Sequence, residues 1–270
     1  MFAAVARRYD LLNHLLSAGI DRRWRRRTVR MVPPAPGGPL AGLPVLDVCT
    51  GTGDLAIEYA RAIEALPGKS AVVADRPCPE VPRDGARGLG VPTSNVQRPA
   101  SNVQQPTPRV IGTDFCEPML RMGREKVRRA GMDGRVELIE ADTLRLPFPD
   151  ESFQIVSVAF GLRNVADTDA GLAEMARVCH RGGHVAVLEF STPQVWPIRS
   201  LYLWYFRHVL PRIGQAVADS PDAAYNYLPD SVGEFDEGEA LAGRMRRVGL
   251  RNVEFHRFTL GIATLYVGEK

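Results

Sequence analysis

Cysteine is scarce and scattered in this sequence. The four present, Cys49, Cys78, Cys116 and Cys179, form no C-x-x-C and no close Cys/His pairing. That spacing argues against a zinc site and a disulfide framework and suits a reducing compartment, so no metal is expected. Long apolar runs are missing too. No stretch of about 18 uncharged apolar residues occurs, which excludes a membrane-spanning helix. Charge appears early, at Arg7, Arg8 and Asp10, with no long apolar core behind it, so no signal peptide is expected and the cytoplasm is the expected location. The net charge of +3 is too small to mark the whole chain as a polyanion binder.

What is present reads as an ordinary globular protein, 45% hydrophobic and 24% charged over 270 residues, enough for one large domain or one domain with an insertion. The N-terminus differs from the rest. Residues 1–32 carry eight arginines against Asp10 and Asp21, including the run Arg22-Arg23-Trp24-Arg25-Arg26-Arg27. Such a run can meet phosphate or an anionic membrane surface, or simply be a solvated helix face. Residues 2–16 are predicted as an amphipathic helix and Ile20–Val32 as a second, basic one, stopped by Pro33-Pro34. Residues 67–108 are proline-rich, poor in large apolar side chains and carry a near-repeat, Ser94-Asn95-Val96-Gln97 and Ser101-Asn102-Val103-Gln104. They are predicted as a flexible surface insertion.

Outside that insertion, strands and helices alternate. Strands are predicted at Val45–Val48, Arg109–Thr113, Val136–Glu140, Phe153–Ala159, His184–Phe190, and roughly 252–258 and 262–267. Helices are predicted at Asp54–Ala65, Glu117–Ala130, Asp169–Cys179 and Glu237–Val248. The pattern predicts a doubly wound, mostly parallel seven-stranded α/β sheet. The last two strands, with no helix between them, should form an antiparallel hairpin at one edge.

In such a sheet a ligand binds beyond the carboxyl ends of the strands. Asp47 lies at the end of the first strand, and Gly51-Thr52-Gly53 makes the turn into a helix opened by Asp54. Gly51-x-Gly53-x-x-Ala56 also fits the dinucleotide pattern, so a nicotinamide-dependent oxidoreductase is the first rival. Acidic residues close the next two strands, Asp114 and Asp142. Asp114 can accept both ribose hydroxyls, and Asp142 an adenine amine, with the Thr143 backbone nearby. A nucleoside without pyrophosphate suits that acidic cradle, whereas a pyrophosphate would be repelled.

The run Val45-Leu46-Asp47 to Gly53-Asp54 resembles the first motif of class I S-adenosylmethionine-dependent methyltransferases, whose fold is Rossmann-like. Phe160-Gly161-Leu162-Arg163-Asn164-Val165 resembles the signature after the fourth strand in the quinone-biosynthesis C-methyltransferases. Further matches include Arg8-Tyr9-Asp10-Leu11-Leu12-Asn13, Leu146-Pro147-Phe148-Pro149-Asp150, and His208-Val209-Leu210-Pro211. Everything except residues 67–108 is covered. The resemblance implies methyl transfer from S-adenosylmethionine to a ring carbon of a prenylated quinol, either demethylmenaquinol or 2-polyprenyl-6-methoxy-benzoquinol. It implies cofactor contacts at Thr52, Asp114, Asp142 and Thr143, around a turn formed by Asp47, Gly51 and Gly53. A further contact, usually serine, falls at Ala159, which lacks the hydroxyl.

Methyl transfer from a sulfonium to carbon removes charge in the transition state, so a dry site helps and no metal is required. The acceptor must be an electron-rich ring. A hydroquinol ionises like tyrosine, so forming its anion at pH 7 costs about 4 kcal/mol. Arg163 is expected to hold that oxyanion, Asn164 to orient the ring, and His208 to serve as base, with Tyr9 in an N-terminal lid. The apolar stretch Trp196–Val217 is either core or a tunnel for the prenyl tail in contact with the bilayer. A nucleic-acid methyltransferase is disfavoured, because Phe160-Gly161-Leu162-Arg163 stands where amino-group DNA methylation uses an Asn/Asp-Pro-Pro-Tyr motif. A non-catalytic scaffold in a quinone-synthesis complex is a further alternative.

Overall fold

The computed structural model describes residues 19–66, 110–204 and 235–270. The predicted helix at 2–16, the insertion at 67–108, Tyr9 and His208 lie outside the described residues.

The helices are α1 (Asp21–Met31), α2 (Asp54–Glu64), α3 (Glu117–Arg129), α4 (Thr168–Val178), α5 (Ile198–Trp204) and α6 (Glu239–Arg247). The strands are β1 (Val45–Val48), β2 (Val110–Asp114), β3 (Val136–Glu140), β4 (Phe153–Ala159), β5 (Cys179–Phe190), β6 (Arg251–Phe258) and β7 (Ala263–Glu269). They form one seven-stranded sheet in the order β3-β2-β1-β4-β5-β7-β6. The first five are parallel, while β7 runs antiparallel to both β5 and β6. The antiparallel strand therefore sits one place inside the edge, and β6 is outermost.

Alternation along β1 and β4 divides the core. Val45 and Ile155 point to the face covered by α1, α2 and α3, beside Leu55, Tyr59 and Leu120. Leu46, Val48, Val156 and Val158 point to the other face, with Leu172, Met175 and Leu241 from α4 and α6. Both faces are covered, and this is why β1 reads as an unbroken apolar run around Asp47. In α3, Glu117 in the first turn and Lys126, Arg128 and Arg129 in the last complement the helix dipole.

Two sequence expectations need correction. β5 starts at Cys179 rather than His184. Gly182, at φ 77°, carries the chain through an irregularity that reads as a break in sequence, and at Gly183 a Cβ would lie 2.6 Å from the Gln154 carbonyl oxygen. The basic helix α1 is also more than a solvated face. Asp21, Trp24, Arg25, Thr28 and Val29 are buried, whereas Arg22, Arg23, Arg26 and Arg27 are exposed. Trp24 Nε1 donates to Thr259 Oγ1 at 2.8 Å, and the Trp24 ring packs on Phe160 and Phe190.

Candidate active site

The strand order reverses between β1 and β4, and the loops there enclose a cavity of about 360 Å³. The β1–α2 turn forms its floor. Cys49 sits at φ 49°, Gly51 at 58° and Gly53 at 81°, left-handed conformations that glycine adopts without a Cβ penalty. Thr50 N–H donates to the Thr113 carbonyl at 2.8 Å and Gly53 N–H to the Thr50 carbonyl at 2.9 Å, tying the turn to β2. Gly161 makes the facing wall possible: a Cβ there would lie 2.4 Å from the Cys49 Cβ.

Asp47 does not line the cavity. The strand's alternation puts its carboxylate beneath the turn, where Thr50 Oγ1 donates to Oδ2 at 2.6 Å and Ser157 Oγ to Oδ1 at 3.0 Å. Burial pushes its pKa up to about 7 against the lowering effect of those two bonds. Gly53 caps α2, and it too is not a lining residue.

Gly51, Thr52, Asp114, Asp142, Thr143, Ala159 and Asn164 do line the cavity. Asp114 accepts from the Gly51 N–H through Oδ2 and from the Cys116 N–H through Oδ1, each at 2.9 Å. Burial raises its pKa despite these bonds. A carboxylate offers about four lone-pair sites, so acceptor capacity remains for ribose hydroxyls. Asp142 is exposed and accepts from the Leu144 N–H at 2.9 Å. Thr143 Oγ1 lies 3.3 Å from Cys49 Sγ, and burial pushes the Cys49 thiol up to about 12, so it stays protonated. Thr52 Oγ1 accepts from Lys126 Nζ at 2.9 Å.

Arg163 is placed differently from its expected position at a substrate oxyanion. It is not a lining residue, and its side chain is 1% exposed. Its Nη1 donates to Glu189 Oε2 and to the Phe160 carbonyl, both at 2.7 Å, with the guanidinium 5.4 Å from the Phe190 ring centre. The pairing follows from the sheet: Ala159 lies beside Leu188, so the chain leaving β4 passes the end of β5 where Glu189 sits.

Sequence reasoning missed Arg25. It lines the cavity at 6% exposure, is ion-paired with the fully buried Asp21, and lies 5.4 Å from the Phe160 ring centre. The available signal was the spacing of Asp21, Trp24, Arg25 and Thr28, which puts an i,i+4 ion pair on the apolar stripe of a helix. Phe115 and Met119 line the cavity as well.

The geometry suits S-adenosylmethionine. Acids at the ends of β2 and β3 flank a glycine turn, and the carboxylates of Asp114 and Asp142 favour a ligand that carries positive charge, whereas Asp54 is already ion-paired with Lys126 Nζ at 2.8 Å. A pyrophosphate at the turn would meet Asp114, which already holds the Gly51 N–H. The sequence matches the ubiE/COQ5 methyltransferase family over residues 1–270. The chain belongs to that family. It is 40% identical to a ubiquinone/menaquinone biosynthesis C-methyltransferase of Geobacter sulfurreducens, over 100% of this chain and 87% of the relative. It is 35% identical to a demethylmenaquinone methyltransferase of Bacteroides fragilis, over 100% of this chain and 91% of the relative. The fold is shared with an S-adenosylmethionine-dependent methyltransferase from Thermotoga maritima, at a TM-score of 0.58 and 14% identity over 100% of this chain and 97% of that one. This family member is thus an S-adenosylmethionine-dependent methyltransferase, and the nicotinamide alternative falls.

Proposed function

We propose that the protein transfers a methyl group from S-adenosylmethionine to a ring carbon of a prenylated quinol, demethylmenaquinol or 2-polyprenyl-6-methoxy-benzoquinol, in menaquinone or ubiquinone biosynthesis. The observation that carries this reading is the full-length similarity to relatives named for those reactions. Bound at the turn, the cofactor supplies an electrophilic methyl group. Asp114 takes the ribose, Asp142 and Thr143 the adenine, and Gly51 and Thr52 the methionyl part. Ala159 contributes its backbone, its side chain carrying no hydroxyl.

Asn164 lines the cavity beyond β4 and orients the acceptor ring. Arg163 serves as a positioning residue: its pair with Glu189 holds the segment that carries Phe160, Gly161 and Asn164 against the cavity. His208 is kept as the candidate base by its place in a family-like segment. We assign the chain to a single methyltransferase domain with 67–108 as an insertion in it; within the N-terminal segment 1–32 expected as a lid, α1 is anchored in the core through Trp24 and Val29.

The prenyl tail requires an apolar exit, and contact with a bilayer surface supplies one. Trp196 at 80% and Trp204 at 54% exposure, with the exposed arginines of α1, support peripheral membrane contact. Among the described residues no helix is long and apolar enough to cross a membrane. Sedimentation with anionic liposomes tests the contact, and failure to co-sediment removes it.

The experiment for the reaction is incubation with labelled S-adenosylmethionine and reduced short-chain demethylmenaquinol, the benzoquinol being run in parallel. Label in either quinol supports the reading, and the ratio names the pathway. Cofactor binding without transfer to either ring refutes it.

A further inference from the structure

We propose that Arg25 is the group that receives the quinol oxyanion, a role that rests on the quinol reading above. Among the described residues lining the cavity, Arg25 is the only cationic side chain. The strand order fixes which end of the cavity it serves. Asp142 follows β3 and Asp114 ends β2, on one side of β1, and they define the adenosine end. Phe160, against which the Arg25 guanidinium lies, follows β4 on the other side of β1. Arg25 therefore sits at the end remote from the nucleoside, where an acceptor ring must approach.

The surroundings suit a charge that interacts strongly. Phe160 packs on Phe190 with ring centres 4.3 Å apart and on Trp24 at 6.1 Å, so water is largely excluded and the effective dielectric is low. Asp21, fully buried one helical turn earlier, fixes the guanidinium through Nη1. An arginine carries five N–H donors, so the bond to Asp21 leaves others for a ligand. Asp21 and the buried Asp47 are the acids that act on it from α1 and from β1. Arg163, already paired with Glu189 away from the lining, is not placed for this task.

In the step, a base takes a phenolic proton from the quinol, and Arg25 holds the resulting oxygen anion. The ring carbon then bonds to the methyl carbon as the methyl–sulfur bond breaks, its electron pair remaining on sulfur. The ring C–H proton leaves and the oxygen regains a proton, so one proton is released overall and no redox change occurs.

The test uses Arg25→Gln, Arg25→Lys and the double variant Asp21→Asn/Arg25→Gln, which leaves no uncompensated buried charge. Two quantities are read: the Kd for S-adenosylhomocysteine by calorimetry, and kcat on demethylmenaquinol from about pH 6 to about pH 10. The expected result is a Kd within roughly twofold of wild type and a kcat lowered about 100-fold at neutral pH. That loss should shrink about tenfold per pH unit as the quinol ionises unaided, and lysine should restore part of the activity. A Kd that weakens in step with kcat in the double variant assigns Arg25 to the cofactor and overturns the proposal. So does a kcat loss that stays constant with pH. A wild-type protein that binds cofactor but methylates neither quinol overturns the quinol reading itself, before any variant is made.

Discussion

Replacing Glu189 by alanine tests the structural role assigned to the Arg163 pair. Glu189 is 2% exposed and accepts from Arg163 Nη1 at 2.7 Å, from the Arg163 N–H at 3.3 Å and from the Phe190 N–H at 3.3 Å. With the carboxylate gone, the Arg163 guanidinium remains buried and keeps the Phe160 carbonyl and the Phe190 ring face. Stranding one partner of a buried ion pair costs about 3–5 kcal/mol, a large share of the roughly 5–15 kcal/mol that holds a typical protein folded. At about 2–4 °C per kcal/mol for a chain of this size, the melting temperature should fall by roughly 6–20 °C. The assay is thermal and urea unfolding of Glu189→Ala beside Arg163→Met/Glu189→Leu. The double variant, which buries no charge, should recover much of the loss. S-adenosylhomocysteine affinity should weaken in Glu189→Ala, because the segment from Phe160 to Asn164 loses its anchor. Stability within about 1 kcal/mol of wild type would refute the reasoning, since no desolvated cation could then have been left behind.

Other outcomes follow from the same geometry. Asp114→Ala removes the acceptor of the Gly51 and Cys116 N–H groups as well as the ribose partner; at about 1.5–3 kcal/mol for each lost bond to a charged group, calorimetry should show S-adenosylhomocysteine affinity lowered at least tenfold. Gly161→Ala places a Cβ 2.4 Å from the Cys49 Cβ, so the turn must shift; urea unfolding should show a loss of about 1–3 kcal/mol, with weaker cofactor binding. Asp47 has a folded pKa near 7, above its unfolded value of 3.8, so the folded state binds more protons between those values. Its contribution is fully favourable below the unfolded pKa and is lost as pH rises to about 7, by up to about 1.4 kcal/mol per pH unit. Asp47→Asn should flatten that slope in unfolding measured across the same pH range; an unchanged slope would place the titration elsewhere.

The parts legible in the sequence were those set by local pattern. The buried run around Asp47, the glycine turn and the acids closing β2 and β3 announce themselves through spacing alone, and these lie where a strand end must meet a ligand. Three features resisted for physical reasons. The start of β5 was hidden because Gly182 and Gly183 mark a break in most contexts, and only the neighbouring Gln154 carbonyl makes their close approach useful here. Burial of Arg25 was masked by five surrounding arginines and revealed only once Asp21 and the aromatic cluster were in place. The partner of Arg163 lies 26 residues away, across the β4–β5 pairing, and no local signal ties the two together.

The most direct measurement of the central claim is the carbon NMR spectrum of the product made with methyl-labelled S-adenosylmethionine and reduced demethylmenaquinol. An aryl-methyl resonance, with the labelled carbon bonded to ring carbon, is the predicted result. An aryl-methoxy resonance, with the label on oxygen, would contradict it.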